Sequence, residues 1–132
     1  MKVLPYTWLT TFSLLILGTT VLAQTPSGTF KKKEKDIRGS FTVKDIGGKK
    51  VLRLGSDFKT KNGPDLKIVL SPKTLAEANG KNAMVGGFVV GPLKATKGTQ
   101  SYPLPAKIDL SRYKAVLVHC EKYSVLWGGA DL

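Results

Sequence analysis

The sequence predicts an all-β fold, an antiparallel sandwich of two sheets with roughly seven to nine short strands in total. Two observations predict this class. From residue 37 onward, apolar residues alternate with polar ones or form brief apolar runs, which is the periodicity of strands. Gly, Pro, Asn or Asp bounds each of these segments, so a turn follows every few residues.

The first two strands form a predicted hairpin. Residues 39–46 alternate so that Phe41 and Val43 face the same side. Gly47-Gly48 follows, and a Gly-Gly pair accepts the positive φ angles of a tight hairpin turn. Residues 49–54 then return as the second strand.

The rest of the chain supplies the remaining strands. Residues 62–64, Asn-Gly-Pro, mark a turn, and the strand 66–70 that follows is stopped by Pro72. Residues 74–79 fit one helical turn or a loop equally well, because the segment is short. The further predicted strands are residues 85–93, 98–104, 108–110, 115–120 and 123–127.

Residues 1–23 are predicted to be a secretory signal peptide, cleaved before Gln24. Lys2 gives it a cationic start, an apolar stretch follows, and Val21 and Ala23 are the small residues that signal peptidase accepts. Ser and Thr residues interrupt the apolar stretch, which falls short of the ~20 residues of a membrane span. We therefore expect a periplasmic or secreted protein whose mature chain, of about 109 residues, forms one domain.

Residues 24–36 are polar, basic and without hydrophobic periodicity, which predicts a flexible arm ahead of a folded domain at 37–132. The arm carries a basic cluster of Lys31, Lys32, Lys33 and Lys35. The formal net charge of +12 indicates either solubility or attraction to an anionic membrane surface, an acidic polymer or an acidic redox partner protein. Nucleic acid is disfavoured, because the sequence has no helix-turn-helix, zinc finger or basic aromatic pattern.

Several motifs together resemble the DM-thirteen domain family. In chain order they are Asp57-Phe58, Gly63-Pro-Asp-Leu66, Gly98-Thr-Gln-Ser-Tyr102 and Cys120 near the C-terminus. The resemblance spans about the whole predicted mature domain. It implies a β-sandwich-like domain, related in context to DOMON and cytochrome b type modules, with a proposed role in electron transfer centred on the cysteine.

Cys120 is the only cysteine in the chain. In an exported protein, a single thiol is a free thiol, an intermolecular link or a ligand, because it cannot close an internal disulfide. It follows Val116 and Val118 at strand spacing and should share their face, which predicts burial in the core. The residues alone leave an inert core cysteine and a redox group both open, and the second includes a haem or metal held by the thiolate.

His119 and Met84 are weak candidates for a second metal ligand. Neighbouring residues of a strand point to opposite faces, so His119 and Cys120 can share a metal only if a bulge rotates one of them. We expect His119 to be a half-exposed strand residue. Met84 is a soft ligand, although a methionine beside an apolar residue is typical of packing. Because the only histidine faces away from the cysteine, no catalytic constellation is predicted and we expect no enzyme activity.

The sequence therefore predicts an exported redox or electron-transfer module centred on Cys120. The alternative is a non-catalytic binding or structural module, in which a basic surface holds anionic partners and Cys120 fills the core.

Overall fold

The computed structural model describes residues 25–132, and of the preceding segment Gly18 alone. The predicted signal peptide, residues 1–23, therefore lies outside the described residues apart from that glycine. All strand pairs within residues 25–132 are antiparallel and two main sheets pack as a sandwich, which confirms the predicted fold class. No helix in this part of the chain is long and apolar enough to cross a membrane.

The described chain contains eleven strands, three of them with only two residues. In chain order they are β1 (Ser27–Thr29), β2 (Lys31–Lys32), β3 (Ile37–Arg38), β4 (Ser40–Ile46), β5 (Lys49–Leu54), β6 (Lys59–Thr60), β7 (Leu66–Ser71), β8 (Phe88–Pro92), β9 (Gln100–Pro103), β10 (Ala115–Cys120) and β11 (Val125–Asp131). One short 3₁₀ helix, Leu110–Arg112, precedes β10.

Three sheets result from the pairing of these strands. One has the order β1-β4-β5-β9, a second has the order β2-β11-β10-β7-β8, and β3 pairs with β6 as a small third sheet. The predicted hairpin is β4 and β5, in which Phe41 pairs with Leu54. Its turn residues Gly47 and Gly48 have φ angles of 60° and 79°, the left-handed values that glycine adopts without strain.

The main core lies between the four-stranded and the five-stranded sheet. Both sheets contribute one face of alternating apolar side chains, as the period of two predicts. Among the most deeply buried are Phe41, Leu52, Leu54, Ile68, Leu70, Val116 and Val118. Phe30 and Phe58 add an edge-to-face aromatic pair with ring centroids 5.3 Å apart.

A second, smaller core covers the outer face of the five-stranded sheet. Val69 on β7 and Leu117 on β10 point away from the sandwich and are fully buried. The loop 72–87 crosses this face and buries them with Ala78 and Ala83. Within this loop residues 75–77 form a turn, and the backbone N–H of Ala78 donates to the carbonyl oxygen of Thr74 at 2.9 Å, which is the hydrogen bond of a single helical turn.

The predicted flexible arm is instead part of the fold. Residues 25–36 include β1 and β2, which pair with β4 and β11. Phe30 is 4% exposed, and its backbone N–H donates to the carbonyl oxygen of Gly39 at 2.8 Å. The prediction of an arm was wrong because a single buried aromatic next to a run of lysines gives no periodicity, although its burial fixes the segment to the core. The domain therefore begins before Ile37.

Two of the motifs quoted above have structural roles. Oδ1 of Asp57 accepts hydrogen bonds from the backbone N–H and the hydroxyl of Ser40, both at 3.0 Å. The buried side chain of Gln100 bonds the backbone of Ala95 in both directions and accepts from the Tyr102 hydroxyl. These residues hold loops against the sandwich, since a buried polar group must be paired.

Candidate functional site

Cys120 ends β10 with its side chain in the main core. Its Cα partners are Leu66 on β7 and Val125 on β11. The residue is 0% exposed, and its thiol is free. Val116 and Val118 belong to the same core, which confirms the predicted face and the predicted burial. The chemical role of the thiol stays a prediction.

His119 lies on the opposite face of β10, as strand alternation predicts, but it is not half-exposed. It is 3% exposed and its Nδ1 has no hydrogen-bond partner among the described residues, so the prediction of a half-exposed side chain was wrong. Its cross-strand neighbours are Lys67 on β7 and Leu126 on β11, and Leu126 belongs to the outer core that the loop 72–87 covers. Burial lowers the pKa of His119, an effect that the nearby charges of Glu121 and Asp65 oppose.

A β-bulge lies at this point of the sheet without bringing His119 to the cysteine. Val118 pairs with Gly128 and His119 pairs with Leu126, so Trp127 is the extra residue on β11. Leu126 is buried in the outer core, whereas Trp127 is buried in the main core with Cys120. The bulge therefore rotates β11 rather than β10.

Met84 packs in the outer core, on the side of the sheet away from Cys120. The sheet backbone separates the two sulfur atoms, so the structure does not bring this weak ligand candidate to the thiol. Methionine serves here as packing for the loop 72–87.

Leu66 and Trp127 lie beside Cys120 at one end of the sandwich. All three belong to the main core, and Leu66 is the cross-strand neighbour of the cysteine. A Cβ atom at Gly63 would lie 2.8 Å from the Trp127 ring and 3.1 Å from Leu66 Cδ2, so both side chains pack on this glycine. The indole N–H of Trp127 also donates to the carbonyl oxygen of Lys61 at 3.1 Å. The loop before β7 therefore closes this end of the core.

A surface cavity of about 300 Å³ borders the same end. Residues 62–67 and 92–96 line it. Leu66, which is 7% exposed, lines this cavity and also contacts the core at Cys120, whereas Cys120 does not reach the cavity. Leu66 thus stands between the cavity and the thiol.

A family model described as Electron transfer DM13 matches residues 29–132, almost all of the described chain. The chain belongs to the electron transfer DM13 family. This match confirms the resemblance found from the motifs, and it supports a redox module in general terms. No curated protein and no solved structure matches the chain.

The surroundings of Cys120 in this DM13 domain do not fit a haem. A haem held by a thiolate needs open space beside the sulfur. The sulfur is instead fully buried among aliphatic side chains, and the neighbouring cavity stops at Leu66. Within residues 25–132 no group of three or more His, Cys, Asp or Glu residues is placed to hold a metal ion.

The lysines of the predicted basic cluster separate onto two sides of the DM13 domain. The ammonium group of Lys33 donates to the carbonyl oxygen of Leu75 at 2.8 Å and so anchors the loop 72–87. Lys31 lines a small cavity beside the same leucine. Lys33 therefore stabilises the loop 72–87 and Lys31 borders it, and neither side chain extends a cationic patch.

Lys32 and Lys35 lie on the other side. Nζ of Lys32 forms an ion pair with Asp36 at 3.1 Å, and Nζ of Lys35 lies 5.8 Å from the centre of the Trp127 ring. The ammonium group of Lys35 therefore lies near Trp127, which belongs to the same core as Cys120.

Sequence reasoning missed further cations beside Lys32. A cavity of about 480 Å³, which we call the basic groove, is lined by Lys32, Asp36, Ile37, Arg38, Lys59, Thr60 and Lys61. The sequence did contain an indication of these cations, because the buried residues Ile37 and Thr60 alternate with exposed basic neighbours. Only the pairing of β3 with β6 brings the two short segments together.

Proposed function

We propose that the protein is an exported electron-transfer module that acts through the thiol of Cys120. The DM13 family supports electron transfer in general, and Cys120 is the only thiol in the chain. The observation that carries the assignment is the place of this thiol, which is buried directly behind a residue that lines a surface cavity, Leu66. The signal-like residues 1–23 support an oxidising compartment, where thiols and disulfides exchange.

A lone thiol exchanges electrons reversibly when a second sulfur comes from outside the chain. We assign that sulfur to a disulfide of a partner protein. The Cys120 thiol loses its proton to solvent and attacks one sulfur of the partner disulfide. A new S–S bond joins the two proteins, the partner's own S–S bond breaks, and its second sulfur leaves as a thiolate. The Cys120 sulfur is oxidised and the departing sulfur is reduced.

This exchange requires the Leu66 end of the core to open, because sulfur atoms must meet and the thiol is 0% exposed. Leu66 is the first residue of β7 and Cys120 is the last residue of β10, so both lie where the strands end. Strand ends open locally at a lower free energy than strand centres. The closed form protects the thiol, and movement of Leu66 makes it available.

The test is the reaction of Cys120 with oxidised glutathione, followed by intact-protein mass spectrometry. The wild type is expected to gain one glutathione per chain, and Cys120→Ser none. Leu66→Ala should react at least about tenfold faster, since lowering the free energy of local opening by ~1.4 kcal/mol raises the open population tenfold.

Leu52→Ala is the matched control. Leu52 is also a buried leucine of the main core, but it lies on β5 in the opposite sheet. If the two alanine variants accelerate the reaction equally at equal loss of global stability, the thiol reacts only when the whole domain unfolds. Cys120 would then be core filler, and the binding-module alternative would replace the redox proposal.

A further inference from the structure

Three cations lie side by side across neighbouring strands at the edge of the domain. Arg38 on β3 is the Cα partner of Lys59 on β6, and Lys59 forms an isolated bridge with Lys97. All three side chains are exposed. Like charges directly opposite each other in a sheet are destabilising, so this row costs the domain stability unless an anion lies against it.

The described residues supply no ion pair for this row. The four salt bridges found there involve other cations, Lys32, Lys61 and Lys67. Asp57 lies near the row, but its carboxylate accepts two hydrogen bonds from Ser40. The positive charge of Arg38, Lys59 and Lys97 is therefore directed to solvent.

The row continues the basic groove into one longer surface. A second cavity of about 450 Å³, lined by residues 38, 56–59, 97 and 98, shares Arg38 and Lys59 with the groove. At the other end of the groove, Asp36 lies between two ammonium groups, 3.1 Å from Lys32 and 3.8 Å from Lys61. The whole surface thus presents five cations and two carboxylates, Asp36 at one end and Asp57, which is bonded to Ser40, at the other.

The Lys61 end of this surface adjoins the candidate redox site. The carbonyl oxygen of Lys61 accepts the indole N–H of Trp127, and Trp127 packs with Leu66 on Gly63. Lys61 therefore begins the loop that closes the core over Cys120. A molecule bound in the groove would contact the segment that must move to expose the thiol.

We propose that this surface, the basic groove together with Lys97, docks an acidic face of a partner protein. The identity of the partner as a redox protein rests on the proposed function, whereas the site itself rests on the arrangement of charges. Asp36 favours a folded acidic face over a densely charged polymer, because carboxylates spaced on a protein can avoid it and a continuous polyanion cannot. Such electrostatic docking speeds encounter without requiring tight binding.

A synthetic peptide of alternating glutamate and serine serves as the probe for the spaced carboxylates of an acidic protein surface, with heparin and phosphatidylglycerol vesicles as the competing anions. The purified protein is titrated with each by calorimetry at about 20 mM and about 200 mM salt. The peptide is expected to bind best, and its binding should weaken at the higher salt concentration. The triple variant Arg38→Gln, Lys59→Gln, Lys97→Gln should weaken it about tenfold or more.

The matched control is the triple variant Lys44→Gln, Lys49→Gln, Lys107→Gln, which removes the same charge from exposed positions outside the groove. Equal weakening in both triple variants would show that only net charge matters and would overturn the docking site. Stronger binding of heparin or of vesicles would overturn the acidic protein face as occupant. Reaction of Cys120 with oxidised glutathione is measured on the same samples, so a failed redox proposal is distinguished from a failed docking site.

Discussion

His119 offers the most direct test of the described packing. Its ring is 3% exposed, and Nδ1 has no partner among the described residues. A buried polar group without a hydrogen bond costs about 1–3 kcal/mol of folding free energy. In His119→Leu, a side chain of similar size would replace the ring beside Leu126 and remove this cost. We expect the variant to be more stable than the wild type by about 1 kcal/mol at pH 8.

The stability difference should grow as the pH falls. An imidazole in the unfolded chain titrates near 6.5, and burial lowers the pKa of His119 in the folded domain. Below about pH 6.5 the unfolded chain therefore binds a proton that the folded chain does not yet bind, and the wild type loses stability. The loss continues until the pH reaches the lowered folded pKa. The charges of Glu121 and Asp65 oppose this lowering and reduce the loss, but they do not reverse it, because burial is the larger cause.

Urea unfolding at pH 8, 7 and 5 measures both effects. The acidic limit of pH 5 keeps the measurement above the titration of ordinary carboxylates. A variant that is less stable than the wild type at pH 8 would show that Nδ1 has a partner and would refute the first part of the argument. A stability difference that does not change between pH 8 and pH 5 would refute the second.

Two further predictions concern the sheet edge and the bulge. Lys59→Gln should raise the free energy of unfolding by about 0.2–1 kcal/mol in low salt, because it relieves repulsion from Arg38, whereas Lys44→Gln should not. Equal effects of the two substitutions in thermal unfolding would contradict the like-charge row. Gly128→Ala should destabilise the domain by about 1–3 kcal/mol, because the new Cβ would lie 2.3 Å from the carbonyl oxygen of Lys31. A chemical denaturation curve unchanged from the wild type would show that β2 does not pack against Gly128.

Much of the fold follows from local sequence pattern. The hairpin of β4 and β5 was predicted because two glycines separate two alternating segments, and the face of Cys120 followed from the spacing of Val116 and Val118. Both predictions depend only on a period of two and on turn chemistry. Such signals are carried by adjacent residues, so they can be read without knowing the rest of the structure.

The errors arose where distant segments decide burial. Phe30 joins the core through its contacts with Phe41 and Phe58, and the three lysines that follow it make the segment look like a solvent-exposed arm in the sequence. His119 shares the outer face of the sheet with Leu126, and a loop more than thirty residues earlier in the chain helps to bury that face. Tyr123 begins the predicted strand 123–127, but it is 61% exposed and lies in the turn before β11. The basic groove forms only because β3 pairs with β6, and strands of two residues are too short to be predicted from the periodicity of the sequence.

Trp127 is the extra residue of β11, and it adds an indole to the main core between Leu126, which faces the outer core, and Gly128. Deleting Trp127 would restore regular alternation along β11, so Leu126 would stay opposite His119 and Val125 opposite Cys120. The deletion would therefore leave the cross-strand partners of both residues unchanged and would empty only the space that the indole fills against Leu66 and Gly63.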